Sequence, residues 1–223
     1  LMSIKTGGCT EDCKYCAQSS KNDTGLEAER LVDVKSVINQ AKEAKKHGST
    51  RFCLGAAWRD MNGRKSALKK ISEMVSKVNE LGLETCVTLG MVTEEQSKQL
   101  GEAGLTAYNH NVDTSREHYK NIISTRTYDD RLKTIQNVQK SGVKVCTGGI
   151  LGLGETEEDR IGVLETLSNM NPYPESIPIN RLVPIEGTPI VEELNKPGVK
   201  KLTLEDMLRT IATARITMPK SII

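Results

Sequence analysis

The sequence is poor in aromatic side chains, nearly balanced in charge and free of long apolar runs. Aromatic residues make up 3% of the chain, with one Trp and one Phe, which is too few for a surface that stacks nucleic-acid bases. Lys and Arg number 31 against 29 acidic residues, so bulk charge indicates neither a nucleic-acid nor an anionic-lipid partner. No apolar stretch approaches the roughly 20 residues of a membrane-spanning helix. The composition therefore predicts a globular protein without nucleic-acid or membrane partners.

Strand-like and helix-like segments alternate along the chain. Apolar or β-branched runs predict strands at 1–6, 50–57, 83–90, 106–114, 143–154 and 176–183. Periodic charged stretches predict helices at 33–47, 65–81, 93–103, 127–141, 156–169 and 203–217. Capping signatures begin three of these helices, at Thr93, Thr156 and Thr203. Glycines that can adopt the left-handed conformation end four of them, at Gly48, Gly82, Gly104 and Gly142.

This alternation predicts βαβ units with a parallel sheet. Six units in succession favour a (β/α) barrel over an open doubly wound sheet. The dinucleotide fingerprint GxGxxG fails, because Glu157 stands at its third glycine after Gly152 and Gly154. We therefore expect an α/β fold, a (β/α) TIM-type barrel formed as one domain by residues 1–223. Because the chain starts at Leu1 without Met and stops at Ile223 at an apparent strand start, we expect it to be truncated at both ends.

The cysteines fall into two groups. Three are close together in one loop and three lie singly on separate predicted strands: Cys9, Cys13 and Cys16, then Cys53, Cys86 and Cys146. An even number allows disulfides, but the long Lys-rich chain differs from small disulfide-stapled secreted domains. A single Cys in a strand is usually a small buried hydrophobe. Three at matched depth on separate strands favour a shared role.

Polar residues gather on the same predicted strands. The period-two alternation of strands places Arg51 and Cys53 on one face, and it also groups Asn109, Asn111 and Asp113. An unpaired buried amide costs about 1–3 kcal/mol, and a bound ligand would provide the partners. In (β/α) barrels the site lies at the carboxyl ends of the strands. We therefore expect a ligand cavity there.

The loop spacing C-x3-C-x2-C can ligate an iron–sulfur cluster or zinc. A structural zinc site normally adds a second C-x2-C pair, which this sequence lacks. The three histidines form no ligand set: His47, His110 and His118. Three cysteines on a 4Fe–4S cluster would leave one iron open to a substrate or cofactor, so the cluster is the better interpretation.

The segment CTEDCKYC resembles the signature of the radical S-adenosylmethionine (radical SAM) enzymes, with Tyr15 as its aromatic residue. Along essentially the whole chain, further segments resemble the biotin synthase family, most closely its fungal-type members. These segments are SIKTGGCTEDCKYCAQ, RFCLGAAWR, YNHNVDTS, TRTYDDRL, KVCTGGILGLGE, PINRLVPIEGTP and RTIATARITMP.

The resemblance implies two clusters and one reaction. Cys9, Cys13 and Cys16 would hold a 4Fe–4S cluster that binds S-adenosylmethionine and generates a 5′-deoxyadenosyl radical, which takes hydrogen from dethiobiotin. Cys53, Cys86 and Cys146 would hold a 2Fe–2S cluster that donates sulfur. The family's fourth ligand to this cluster is an arginine that would follow Ile223; Arg215 does not correspond to it. A fragment ending there would lack that ligand, and with it the basis for full activity.

Further site residues follow from the same resemblance. S-adenosylmethionine would contact Tyr15, Asn111, Asp113, Arg131, Ile150 and Val183. Dethiobiotin would contact Arg51, Asn109, Asn111 and Asn180. A guanidinium suits a carboxylate and a carboxamide suits a cyclic urea. The alternative for Arg131 is a solvated helix arginine.

The resemblance also implies a homodimer, a reductant protein, iron–sulfur assembly machinery and a mitochondrial matrix location, or a cytoplasmic one if the protein is not eukaryotic. Two other functions stay open. One is a different radical SAM sulfur-insertion enzyme such as a lipoyl-synthase-like protein, although those carry their extra cysteines in a second local motif. The other is a non-catalytic iron–sulfur or zinc-binding fragment.

Overall fold

The computed structural model describes residues 1–223 and contains seven strands and eight helices. The strands are β1 Met2–Lys5, β2 Arg51–Ala56, β3 Glu84–Thr88, β4 Ala107–Asn109, β5 Lys144–Cys146, β6 Gly149–Leu151 and β7 Ile179–Arg181. The helices are α1 Val34–Lys46, α2 Lys65–Asn79, α3 Glu94–Glu102, α4 Arg116–Ile122, α5 Tyr128–Lys140, α6 Glu157–Ser168, α7 Pro189–Leu194 and α8 Leu204–Thr217. None of these helices combines the length and apolar character needed to cross a bilayer.

The strand order follows the chain. The first five strands form one sheet in the order β1-β2-β3-β4-β5, and β6 pairs with β7. The pairs β1–β2, β2–β3, β3–β4 and β6–β7 are parallel. Sequential parallel strands connected by helices are the topology of (β/α) barrels. The predicted α/β class and its barrel-type strand order are therefore confirmed.

The helix boundaries follow the predicted local signals. Capping boxes are present at three helix starts, Thr93, Thr156 and Thr203, where each side chain accepts the backbone N–H three residues later. The four helix-ending glycines all have positive φ: Gly48, Gly82, Gly104 and Gly142.

The strands are shorter than predicted. The segment 106–114 is a strand only over Ala107–Asn109, and 143–154 divides into β5 and β6. Asp113 has a φ of 67°, which no strand residue adopts, so the period-two grouping of Asn109 with Asn111 and Asp113 is wrong. The prediction also missed two short helices, α4 and α7.

The chain forms two compact units. The first comprises residues 1–10, 27–110 and 133–145, and the second comprises residues 11–26, 111–132 and 146–223. In the first, β2 and β3 bury Leu54 and Val87, and α2 buries Ile71 and Met74. In the second, the core includes Leu151, Leu167, Ile177 and Ile190. Each such side chain contributes about 1.5–3 kcal/mol when fully buried. That residues 1–223 act as one domain stays a prediction.

Candidate functional site

Two glycines shape the chain just before Cys9. Gly7 and Gly8 have φ values of 62° and 68°, a region that L side chains rarely adopt. A Cβ on Gly7 would lie 2.7 Å from the Glu27 carbonyl oxygen. Lys5 donates from Nζ to the Thr6 carbonyl at 3.2 Å. Burial lowers the pKa of this lysine, and the half-buried Cys9 opposes that shift.

In the second unit, Cys13 and Cys16 lie in a tight turn. The Cys16 N–H donates to the Cys13 carbonyl at 3.0 Å. The Asn22 amide donates to the carbonyls of Cys13 and Cys16 at 3.0 and 2.8 Å. Burial, followed by the charge of Asp113, raises the pKa of Cys13 to about 12. Its thiolate therefore needs a compensating positive centre such as a bound iron.

The guanidinium of Arg131 is buried and fully engaged. Its Nε donates to the Tyr119 hydroxyl and its Nη1 to the Asn111 carbonyl, both at 2.9 Å, while Nη2 pairs with Asp113. The side chain is 6% exposed, so the solvated-arginine alternative is wrong. Burial lowers its pKa, but Asp113, Tyr15 and Tyr119 together outweigh burial, and the pKa of Arg131 lies above its ordinary value. The guanidinium therefore stays protonated.

Tyr15 lies in the electrostatic environment of Asp113, Cys13 and Arg131. Its pKa is raised well above the ordinary value, first by burial and then by the negative charges of Asp113 and Cys13. The structure thus brings together four residues that the sequence assigned to the first cluster or its cofactor: Cys13, Tyr15, Asp113 and Arg131.

The loop after β4 is hydrogen-bonded to Gly148, between β5 and β6, and to Ile150 in β6. Asn111 accepts the Gly148 N–H through Oδ1 at 3.2 Å, and the Asp113 carbonyl accepts the Ile150 N–H at 2.7 Å. A Cβ on Gly148 would lie 1.9 Å from the Pro178 carbonyl oxygen. This glycine therefore permits two backbone segments to approach each other.

Ile150 and Asn180 are register partners in the β6–β7 pair. The sequence resemblance predicts Ile150 as a cofactor contact and Asn180 as a substrate contact. The two residues are adjacent in the sheet. Asn180 is exposed and Ile150 half-buried. Val183 is 75% exposed, so in this structure it lies at the surface.

In the first unit, Cys53 and Cys86 are register partners on β2 and β3. A hydrogen bond with the Cys86 thiol lowers the pKa of Cys53 to about 6; burial opposes this shift and Arg51 assists it. A thiolate is the form that binds metals, so Cys53 is ready to act as a ligand. Arg51 pairs with Glu84 at 2.8 Å. Asn109, at the end of β4, lies 3.3 Å from the Thr88 hydroxyl.

Cys146 is the last residue of β5 and forms a parallel bridge with Ser176. It is half-buried, and all six cysteines are free thiols. The disulfide alternative therefore has no counterpart in the structure.

A profile of the Radical SAM superfamily matches residues 3–167, which is most of the chain. The chain belongs to the radical SAM superfamily. Membership implies an iron–sulfur cluster and S-adenosylmethionine as cofactors. A second profile, the Biotin and Thiamin Synthesis associated domain, matches residues 178–223 of this radical SAM chain.

Relatives of this radical SAM chain align over all its 223 residues. It is 72% identical to the mitochondrial biotin synthase of Saccharomyces cerevisiae and covers 60% of that protein. It is 58% identical to the biotin synthase of Schizosaccharomyces pombe, of which it covers 60%. It is 53% identical to the mitochondrial biotin synthase of Arabidopsis thaliana, of which it covers 57%. The chain thus spans about 60% of the length of the relatives it matches.

Solved structures agree with the radical SAM fold. A methylornithine synthase superposes with a TM-score of 0.80 at 22% identity, covering 99% of this chain and 62% of that one. An FeFe-hydrogenase maturase from Carboxydothermus hydrogenoformans superposes with a TM-score of 0.78 at 17% identity, covering 99% of this chain and 51% of that one. At these identities the similarity concerns the fold alone.

The thiol donors of this radical SAM chain are of the type that holds an iron–sulfur cluster. No three His, Cys, Asp or Glu side chains converge closely enough to hold one metal ion. In an iron–sulfur cluster, three cysteine thiolates would bind three different irons of one core. The free thiols, the braced turn at Cys13 and Cys16, and the lowered pKa of Cys53 are consistent with cluster ligands.

The cysteine motif contains an acidic pair, Glu11 and Asp12, that the sequence pattern does not predict as part of the site. Glu11 is 2% exposed. Burial raises the pKa of Asp12, but hydrogen bonds from Ser124 and Thr125 outweigh it and lower that pKa to about 2. The signal in the sequence is the occurrence of two acidic residues between cysteines that are predicted ligands, where exposure to solvent would be the default interpretation.

Proposed function

We propose that this chain carries a biotin synthase activity, in which a radical SAM sulfurtransferase inserts sulfur into dethiobiotin through a 5′-deoxyadenosyl radical. The observation that carries the proposal is the 72% identity to the Saccharomyces cerevisiae enzyme over all 223 residues. The match of residues 178–223 to the Biotin and Thiamin Synthesis associated domain supports it.

Cys9, Cys13 and Cys16 are the proposed ligands of a 4Fe–4S cluster, and Cys53, Cys86 and Cys146 those of a 2Fe–2S cluster. When bound, the first would supply the electron that cleaves S-adenosylmethionine, and the second would supply sulfur. The hydrogen bond from Cys86 supports this by keeping Cys53 ionised near neutral pH. Cys53 and Cys86 lie on separate strands. A lipoyl-synthase-like enzyme would instead carry its additional cysteines in a second local motif.

Arg131 is the proposed partner of the S-adenosylmethionine carboxylate. The guanidinium is held in one orientation by Tyr119, Asn111 and Asp113, and such preorganisation reduces the entropy lost on binding. The other proposed cofactor contacts are Tyr15, Asn111, Asp113, Ile150 and Val183. The proposed dethiobiotin contacts are Arg51, Asn109, Asn111 and Asn180, whose carboxamides can both donate to and accept from a cyclic urea.

The proposal extends to the protein's surroundings. The relatives from Saccharomyces cerevisiae and Arabidopsis thaliana are named mitochondrial, which supports a mitochondrial location, and we place the protein in the matrix. A homodimer, a protein reductant and iron–sulfur assembly machinery complete the proposed set of partners.

Anaerobic reconstitution of the full-length protein tests the function. Iron, sulfide, reductant, S-adenosylmethionine and dethiobiotin are added, and 5′-deoxyadenosine and biotin are quantified by mass spectrometry. We expect both products from the wild type, neither from Cys13→Ser, and 5′-deoxyadenosine without biotin from Cys86→Ser. Wild-type protein that cleaves S-adenosylmethionine but never yields biotin would contradict the proposed substrate.

A further inference from the structure

Asp12 is bonded to a segment more than one hundred residues away in sequence. Its Oδ1 accepts the Ser124 backbone N–H at 2.9 Å and the Thr125 backbone N–H at 3.1 Å. Both hydroxyls also bond this carboxylate, that of Ser124 at Oδ2 and that of Thr125 at Oδ1. In return, the Asp12 N–H donates to Thr125 Oγ1 at 3.2 Å. Charge-assisted bonds of this kind are stronger than neutral ones.

Glu11 is bonded to the same segment. Its side chain is 3% exposed, and its Oε1 lies 3.5 Å from Nε of Arg126, which is itself 7% exposed. The Thr125 hydroxyl reaches the other oxygen of Glu11. Nε and Nη1 of Arg126 have no hydrogen-bond partner, so the Glu11 carboxylate is the close counter-charge of this buried cation. Removing either partner would leave the other buried and uncompensated.

The backbone around Cys13 is fixed by these bonds and their neighbours. The Lys14 N–H donates to the Ile122 carbonyl, and the Lys14 carbonyl accepts the Ile190 N–H, both at 3.1 Å. With Asp12 held on one side and Lys14 on the other, the Cα–Cβ direction of Cys13 is determined by contacts that do not involve its sulfur.

We propose that Glu11, Asp12, Ser124, Thr125 and Arg126 form a clamp that positions Cys13 for cluster binding. These are positioning residues and not ligands. The inference rests on the proposed function, in which Cys13 binds an iron. Outer residues that orient a metal ligand commonly change metal affinity by roughly 10–100-fold when they are mutated. The clamp therefore determines how long the cluster is retained.

The experiment measures cluster loss directly. Wild type, Asp12→Asn, Ser124→Ala and Ser124→Thr are reconstituted anaerobically as full-length proteins, and the visible absorption of the cluster is followed after addition of an iron chelator. The matched control is Asp33→Asn at the start of α1, where the carboxylate accepts the Ser36 N–H at 2.7 Å and the Ser36 hydroxyl at 3.1 Å. Both changes remove a carboxylate bonded to a serine, but only Asp12 adjoins a proposed ligand.

We expect about tenfold faster bleaching for Asp12→Asn, a smaller increase for Ser124→Ala, and near wild-type rates for Ser124→Thr, which keeps the hydroxyl. Thermal unfolding of the apoproteins separates a loss of fold from a loss of positioning. Equal bleaching rates for Asp12→Asn and Asp33→Asn would overturn the clamp. A wild-type protein that takes up no cluster would instead refute the proposed function.

Discussion

At the scale of single residues, the informative groups are buried charges whose partners lie far away in sequence. Arg126 lies just before α5 and Arg131 lies in its first turn. No local sequence pattern distinguishes either one from an arginine exposed to solvent. Their side chains are nevertheless 6% and 7% exposed. Burying a charge is costly unless it is paired and hydrogen-bonded. Asp113 pairs with Arg131 and Glu11 pairs with Arg126. These pairings depend on the tertiary structure.

The Arg131–Asp113 pair gives a testable consequence. Arg131→Met leaves the Asp113 carboxylate, 3% exposed, without its counter-charge, so we expect a loss of about 3–5 kcal/mol in the free energy of unfolding. Adding Asp113→Asn removes that buried charge and should recover much of the stability. S-adenosylmethionine affinity, measured by calorimetry on the reconstituted protein, should stay low in the double variant. Full recovery of binding would show that Arg131 serves only the fold.

At the scale of elements, the sequence predicted the long helices and missed the short ones. Six helices carry an amphipathic period, a capping residue or a terminal glycine, and each of these signals is local. α4 and α7 span seven and six residues, which is too short for a period to be recognised. The loop after β4 lies within the apolar or β-branched run 106–114, which predicts a strand. The carbonyl of Asp113 instead bonds Ile150, and that tertiary contact overrides the local pattern.

Two helix starts are joined by one hydrogen bond. Ser115 caps α4 by accepting the His118 N–H, and its hydroxyl donates to Asp159 in the capping box of α6. Burial raises the pKa of Asp159, but the bonds from Ser115 and Thr156 outweigh it, and the pKa lies below its ordinary value. A depressed carboxyl pKa contributes stability that is present above the ordinary value and is lost as the pH falls through the folded value.

Asp159→Asn should therefore lower the free energy of unfolding at neutral pH by about 1 kcal/mol, a typical net contribution of a hydrogen bond. The difference between the variant and the wild type should shrink as the solution is acidified below the ordinary carboxyl range. Urea unfolding followed by circular dichroism across that range measures it. A difference that stays constant with pH would contradict the assignment of the stability to the ionised form.

At the scale of the whole molecule, the sequence predicts which residues share a site, whereas their placement depends on tertiary structure. The cysteine spacing predicts ligands in the loop, which stays a prediction, and the register of β2 with β3 explains why Cys53 and Cys86 are neighbours. The lowered pKa of Cys53 could not be predicted, because it depends on a thiol from another strand. The clamp could not be predicted either, because Glu11 and Asp12 lie more than one hundred residues before Ser124, Thr125 and Arg126 in the sequence.

Cluster ligation should also stabilise the fold as a whole. A group that binds the native but not the unfolded chain raises the free energy of unfolding by an amount that grows with the logarithm of its free concentration over its dissociation constant. Cysteine ligands bind only when deprotonated. Cys13 has a pKa raised to about 12, so a bound iron replaces a buried neutral thiol with a compensated thiolate. We expect chelation of iron to lower the melting temperature of wild-type protein by several degrees. The melting temperature of Cys13→Ser should fall less on chelation than that of the wild type, because this variant lacks one proposed ligand. An unchanged wild-type melting temperature would contradict a contribution of cluster binding to the stability of the fold.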